Sequence, residues 1–422
     1  MRKLFFFGFL WLTHALCPAA DWYVHPAGSS SPDGSMNHPF ASIQQALDAA
    51  QSGDRIILLP GVYSGPGNFN LNPQGKSLTI ESTEPANLEI AASTIIDPNG
   101  WGRGFVLNHP DSSPFVLQGL TIRNAVCSQE DNPPHGAALS CSGVSLTVRF
   151  CIFESCDADG GWGGAFYGEN SEAIFEHCLF TANQGRYGGA AAVNLNSFVS
   201  FNYCTIVGNQ AWFGGGGIMV DFDSTISLRN SIVFSNGITV SPDDRGRQIR
   251  IRSSALSASY SCLSNQPADI QADDDSTVFI GPGILYQEPE FAFYSDSIPP
   301  QMRDFRLKSR YGRWNPQTQS WILDPVTSPC INAGDPNDDW SAEPWPNGKR
   351  ADIGFYGGTA QASLYGNPAD FTVDGAVNLA DLSEWVENWL SSHFSAIYDL
   401  NKDSQINLLD FESLSRWWLE QD

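Results

Sequence analysis

The stretch Phe175-Glu176-His177-Cys178-Leu179-Phe180-Thr181-Ala182-Asn183 has four counterparts in the chain: 117–125 (LQGLTIRNA), 148–156 (VRFCIFESC), 201–209 (FNYCTIVGN) and 228–236 (LRNSIVFSN). Aligning Leu120, Cys151, Cys178, Cys204 and Ser231 gives successive steps of 31, 27, 26 and 27 along the chain. Two places further on stand Ile122, Phe153, Phe180, Ile206 and Val233, and a spacing of two puts both columns on one face of a strand. Asn183, Asn209 and Asn236 close three of the stretches at a common position. A glycine column keeps the same period: 135–138 (HGAA), 163–166 (GGAF), 188–191 (GGAA) and 215–218 (GGGI), aligned with steps of 28, 25 and 27.

A unit of about 26 residues without helical periodicity has room for three short strands and three turns. One unit cannot bury its apolar face alone, so units must stack, about 4.8 Å apart, and residues one period apart become vertical neighbours. The expected fold is an all-β parallel solenoid. Cys151, Cys178 and Cys204 then form a buried ladder of thiols acting as small apolar filler. Cys127 and Cys156 fall on adjacent coils, where a disulfide is the alternative to free thiols.

This pattern resembles the right-handed parallel β-helix proteins of the pectate-lyase-like superfamily over residues 21–358. The opening 39–50 (PFASIQQALDAA) is similar to that family's entry. Ser42 serves as N-cap, and Ile43, Ala46, Leu47 and Ala50 share one helical face, giving an N-terminal capping helix over the first coil. The stretches 304–307 (DFRL), 328–335 (SPCINAGD) and 350–358 (RADIGFYGG) are similar to closing coils of such proteins, with a structural role.

Beyond a linker at 359–368, the segment 369–422 carries two matching loops, one opening at Asp370 and the other at Asp399. In the second, Asp399, Asn401, Asp403 and Asp410 supply side-chain oxygens at loop positions 1, 3, 5 and 12, and Gln405 at position 7 offers its backbone carbonyl. In the first, Asp370, Thr372, Asp374 and Asp381 stand at the same positions and Ala376 at position 7. Each loop feeds a helix with the same apolar spacing, Trp385 and Trp389 matching Leu414 and Trp418. Hard Ca²⁺ takes six to eight oxygens, and converging carboxylates repel without it. The tandem arrangement, with Asp in place of Glu at position 12, resembles the dockerin version of an EF-hand-like domain. That resemblance implies Ca²⁺ as cofactor and a cohesin-like protein module as partner. Thr372 at position 3 weakens the first site, and Ser404 replaces the glycine that eases the turn at position 6.

At the other end, Arg2 and Lys3 precede an apolar run at 4–12 (LFFFGFLWL) and a small-residue cleavage region at 17–20, so residues 1–20 read as a signal peptide. Its run is too short for a membrane span, which needs about 20 residues. The mature chain is expected to be secreted and extracellular, or held at a cell surface through the dockerin-like tail. Losing Arg2 and Lys3 takes the formal charge from −24 to −26. Such a surface disfavours nucleic acid, anionic membranes and polyanionic glycans, unless calcium or a local arginine cluster intervenes.

Counting five residues past the glycine column gives Cys141, Glu169, Asn194 and Asp221, with Asp223 two beyond. Trp162 and Tyr187 stand two residues before that column, with Trp212 and Phe213 near it in the next coil. Aromatic faces stack on sugar rings and carboxylates do acid/base work, so Glu169, Asp221 and Asp223 are the catalytic candidates and Trp162, Tyr187, Arg186 and Trp212 the substrate-binding ones. Arg186, Arg245 and Arg247 could meet uronate groups. The six histidines outside the leader are scattered and form no column. The paired-Asp and Arg-x-Lys motifs typical of polygalacturonases are absent, so that family's catalytic residues are not carried over. Two functions follow: binding or degrading an extracellular polysaccharide, as lyase or hydrolase, or a noncatalytic adhesive role with a docking tail.

Overall fold

The computed structural model describes residues 19–108, 114–127, 131, 134–240, 246–264, 266, 269–295, 297–389, 397–401 and 404–418. Most of the proposed signal peptide lies outside the described residues, as do Arg245, His109, His393 and the loop ligand Asp403.

Among the described residues the chain winds into a parallel β-solenoid with three principal sheets. The long sheet has ten strands, from Asp21–Val24 at one edge to Thr277–Ile280 at the other. The second sheet has eight strands and the third seven, and a short sheet of Gln184–Tyr187, Gln210–Gly214 and Gly237–Ile238 lies between them along the chain. Every pairing within these four sheets is parallel; on the coil from 172 to 202, Glu172–Glu176, Leu179–Thr181, Gln184–Tyr187 and Ala191–Asn194 supply one strand to each.

Inside, like residues stack. Phe153, Phe180 and Ile206 lie opposite one another on neighbouring strands of the second sheet and are buried. Cys151, Cys178 and Cys204 sit one residue before these paired strands, fully buried, each thiol donating to a backbone carbonyl. All eight described cysteines are free. The disulfide alternative for Cys127 and Cys156 fails on register: Val126 bridges Asp157, so Cys127 reaches Ala158, whose carbonyl accepts from its Sγ at 3.4 Å.

The asparagine column is a second ladder. Asn183 donates its backbone N–H and Nδ2 to Asn209 Oδ1 at 3.0 and 2.9 Å, and Asn209 repeats this on Asn236 Oδ1 at the same distances. Each Nδ2 also reaches a carbonyl, of Phe153, Phe180 and Ile206. Gln248 Oε1 ends the run by accepting from Asn236. These buried turn amides would otherwise lack partners.

Helix α1 (Ile43–Ala49) follows Ser42 and buries Ile43, Ala46 and Leu47 beside the first strand; Gln45 Oε1 accepts from the Ser42 N–H. A second short helix, α2 (Leu88–Ser93), starts at Asn87, whose Oδ1 accepts from Glu89 and Ile90.

The segment expected to supply closing coils does something else. The stack of the long sheet ends at Ile280, and 291–358 leaves the spiral, forming antiparallel pairs 291–293 with 304–307 and 313–315 with 320–322. This side layer packs Phe291, Phe305, Ile353 and Phe355 on Leu179, Val207, Ile232 and Phe234, the outward residues of the second sheet. The expected linker 359–368 is packed too: Ser363 donates to Asp352 and Leu307, and Leu364 to Gly312. Helices α3 (Leu379–Asn388) and α4 (Leu408–Arg416) close a small core of Phe371, Val377, Trp385, Tyr398, Ile406 and Leu414. Among the described residues no helix is long and apolar enough to cross a membrane.

Candidate functional site

The turn into the third sheet requires a left-handed backbone, which glycine adopts without strain. Gly136, Gly163, Gly188, Gly215 and Gly246 fill it, with φ between +61° and +68°. At Gly188 an added Cβ would lie 2.1 Å from the Ala191 carbonyl oxygen. These glycines fix the register. Leu139 faces Phe166, so Gly136 aligns with Gly163 and not with Gly164, one place away from the alignment expected of the glycine column. The one-residue shift matters because side chains alternate across a strand. Cys141 faces Gly168 and is buried inside, whereas Ser142 stands opposite Glu169.

The outward column is therefore Ser142, Glu169, Asn194 and Asp221, with Arg252 next, its backbone N–H donating to Val220. Glu169 accepts from Ser142 Oγ at 2.7 Å and from the Tyr167 hydroxyl at 3.0 Å, and Asn194 Nδ2 donates to that hydroxyl at 3.1 Å. Asp221 is 3% exposed and forms an ion pair with Arg252. Burial pushes its carboxyl up, and the Arg252 charge opposes this. Glu169 and Asp221 are not side by side: Asn194 intervenes, so their backbones are two strand spacings apart, roughly 9–10 Å. Asp223 is not in the column; it occupies the exposed turn after the strand, at φ +57°.

A second outward column, Ser140, Tyr167, Ala192, Met219 and Arg250, floors the face. Ala192 and Met219 point outward yet are fully covered, because Trp162 and Tyr187 lie against them. Trp162 bridges Tyr187, their rings 5.0 Å apart, and Phe213 continues the ridge 5.7 Å from Tyr187. The expected Trp212 is the strand neighbour of Phe213, at a register shift where the two residues together oppose Arg186; Phe213 is the ring that meets Tyr187 and takes the place in the ridge. The Arg186 guanidinium lies 5.9 Å from the Tyr187 ring and 5.5 Å from that of Phe213. That of Arg252 lies 5.7 Å from Trp162 and 5.4 Å from Tyr187, and its buried Nε has no hydrogen-bond partner. Arg247 is elsewhere, lining a cavity with Asn236 and Glu288.

Among the residues of this face that escaped sequence reasoning, Arg252 and His135 matter most. Arg252 follows an extended rung: Ile249 pairs with Ile218, which pairs with Ala191, and the later step is the longer one, so counting at the usual period misses it. His135 looked isolated, yet its ring packs 4.6 Å from Tyr167 and its Nδ1 accepts from the Trp162 N–H at 3.1 Å. Burial holds its pKa below the ordinary range.

The two C-terminal loops repeat each other's hydrogen bonds. Asp370 Oδ2 accepts from the Gly375 N–H at 2.9 Å, and Asp399 Oδ2 from Ser404 at 2.8 Å. Asp381 accepts from Thr372 and Asn378, both at 2.9 Å; Asp410 accepts from Asn401 at 3.1 Å and Asn407 at 2.8 Å. Gly375 (φ +87°) and Ser404 (φ +68°) both take the left-handed turn. Oxygens of Asp370, Asp374 and Asp381 lie within 4.8 Å of one another. With Ca–O distances of about 2.3–2.6 Å, that spread suits oxygens sharing one ion. Burial raises the Asp370 carboxyl from its ordinary value, and the Asp381 and Asp374 charges add to the rise. The Ala376 carbonyl accepts from Asn378 Nδ2 at 2.9 Å, and Gln405 holds position 7 of the second loop.

The chain is 39% identical to pectate lyase PEL9 of Emericella nidulans over 69 residues, 16% of this chain, and 23% identical to the uncharacterized protein YwoF of Bacillus subtilis over 128 residues, 30% of this chain. It spans only 17% and 27% of the lengths of these two relatives. Among solved structures, pectate lyase Pel9A aligns with a TM-score of 0.36 at 15% identity, over 81% of this chain and 97% of that one. Residues 79–256, which contain the column from Ser142 to Arg252, match the family model for the right handed beta helix region: this part of the chain is a right-handed parallel β-helix.

Proposed function

We propose that the chain is an extracellular protein that binds, or binds and degrades, a carboxylate-bearing polysaccharide along the outer face of the third sheet. The observation that carries this is Arg252, placed beside the rings of Trp162 and Tyr187 and steadied by Asp221, with an Nε donor still unpartnered. A guanidinium beside aromatic rings offers a sugar ring a stacking surface and its carboxylate a charged donor. Arg186 adds a cation on the same flank, toward the local cluster that a chain of formal charge −24 needs for such a ligand, while Arg250 beside it is ion-paired with Asp273. The relatives named as pectate lyases fit this ligand class.

The commitments of the carboxylates favour binding over paired-acid hydrolysis. Asn194 separates Glu169 from Asp221, which excludes the about 5–5.5 Å of a retaining pair; the spacing is nearer the about 6.5–9.5 Å of an inverting one, but both carboxylates are already engaged. Glu169 is bound by Ser142 and Tyr167, and Asp221 by Arg252. That commitment supports the second reading, a noncatalytic adhesive protein. The C-terminal loops, read as two Ca²⁺ sites, form the docking module in either case, with a cohesin-like module as partner; Leu379 and Leu408, each opening the helix after its loop, are 72% and 70% exposed for such a contact.

Affinity electrophoresis in polygalacturonate gels, with unsaturated products followed by ultraviolet absorbance, tests this reading. The wild type is expected to be retarded, and Arg252→Ala to weaken binding at least tenfold. Retardation unchanged in Arg252→Ala and Trp162→Ala would overturn the proposal. Product lost on Glu169→Ala supports degradation; retention without product supports adhesion.

A further inference from the structure

The side layer carries a second cleft, remote from the third-sheet face. One wall is the hairpin of Arg313–Asn315 and Ser320–Ile322, in which Trp314 and Trp321 pair directly across the strands, rings 5.5 Å apart at 63°. The other wall is the start of helix α2, with Asn87, Leu88 and Glu89, and residues 359–361 complete the lining. The cavity is about 440 Å³, within the range of small-molecule sites.

The hairpin is firmly held. Arg313 donates to both oxygens of Asp324, at 3.0 and 3.2 Å, and to Asp304 at 3.3 Å. Such anchoring fixes the backbone that carries the edge-to-face pair of indoles, so that little is left to order when a ligand binds.

The polar groups specify the chemistry. The Trp314 indole N–H is buried and has no hydrogen-bond partner, a cost that a ligand acceptor would remove. Gln361 spends its Oε1 on Arg306 at 2.6 Å, which leaves its amide nitrogen as a donor. The Glu89 carboxylate makes no hydrogen bond among the described residues and so offers an acceptor. The nearby cation Arg306 donates to Asp304 and Gln361, lies over the Tyr356 ring and feels the Glu89 charge; only its buried Nε lacks a partner among the described residues. A ligand must therefore present apolar faces to two indoles, acceptors to two N–H donors and a donor to a carboxylate. A simple ammonium cation offers no acceptor to the two N–H donors, and an anion meets the Glu89 carboxylate at the cleft lining. Hydroxyl groups on a ring with apolar C–H faces meet every requirement.

We propose that this cleft is a binding subsite for a neutral sugar unit, separate from the carboxylate-reading face and independent of it. The test uses the full chain labelled with 5-fluorotryptophan, its Trp314 and Trp321 ¹⁹F resonances assigned through single Trp→Phe variants. Cellotetraose, xylotetraose, mannotetraose and galactotetraose are titrated separately. At least one is expected to move both resonances saturably. Trp314→Phe, which keeps a ring and removes the N–H, is expected to weaken that binding about tenfold, as read from the Trp321 resonance. Arg252→Ala should leave it unchanged, which separates this site from the third-sheet face. Gln361→Leu serves as a second variant if Trp314→Phe does not fold. The inference is overturned if no tetrasaccharide moves either resonance, if tetramethylammonium moves them instead, or if the folded variants bind like the wild type.

Discussion

His177 sits in the turn between the long and second sheets with a left-handed backbone, φ +48°. Phe150 stacks on one side of its ring at 4.9 Å and Tyr203 on the other at 4.8 Å, both nearly parallel. Its Nδ1 is buried without a hydrogen-bond partner, and desolvation pushes its pKa down to about 4. The unfolded chain binds that proton near 6.5, so between these values the unfolded state carries more protons than the native one. Stability should fall as the pH drops from about 6.5 to about 4, and His177→Phe should remove that share of the decline. Thermal melts of both proteins at matched pH across this window check it. The residue also shows where sequence reading stops. The cysteine column was visible because its members share size and polarity. Phe150, His177, Tyr203, Asn230 and Tyr260 share a left-handed φ, which no residue type announces, and rings at four of the five places. Arg252 stayed hidden because its rung is longer than its neighbours.

Among the elements, the asparagine ladder does for the turns what strand pairing does for the sheets. Asn209 Oδ1 takes two donors from Asn183, and its Nδ2 serves the Phe180 carbonyl and Asn236. Asn209→Ala would strand several of these buried groups at once. With about 1–3 kcal/mol for an unsatisfied buried group, a loss of about 2–4 kcal/mol is expected, read as a lower urea midpoint. The end position of Asn183, Asn209 and Asn236 was legible from spacing alone; the interlocking amides were not. The second sheet carried a signal that periodicity counting overlooked. Its strands Leu179–Thr181, Thr205–Val207 and Ile232–Phe234 are buried on both faces and, Thr181 and Thr205 apart, apolar, the mark of a sheet covered from outside. The side layer supplies that cover.

For the molecule as a whole, the winding followed from one period, while the departure of 291–358 from the spiral did not, since its short apolar stretches read equally well as further coils. The C-terminal module is joined to that side layer. Trp345 stacks on Phe371 and donates to the Pro368 carbonyl, and Lys349 reaches the Phe371 carbonyl and Glu384. If its loops take calcium, the ion offsets the repulsion of Asp370, Asp374 and Asp381, and its binding energy adds to folding. Differential scanning calorimetry should then show a transition that rises with millimolar Ca²⁺ and falls with EDTA, and Asp381→Ala and Asp410→Ala together should abolish the response. An unchanged trace with and without the ion would sink the calcium reading. The cover over the second sheet has one more consequence. Phe355 meets Thr205 across 150 residues of sequence. At about 5–20 residues per second, a ribosome takes roughly 8–30 s to make that stretch. Until 291–358 is made, Leu179, Val207, Ile232 and Phe234 lack the layer that covers them, leaving a greasy stripe that a holdase would grip and on which prematurely terminated products would stick together.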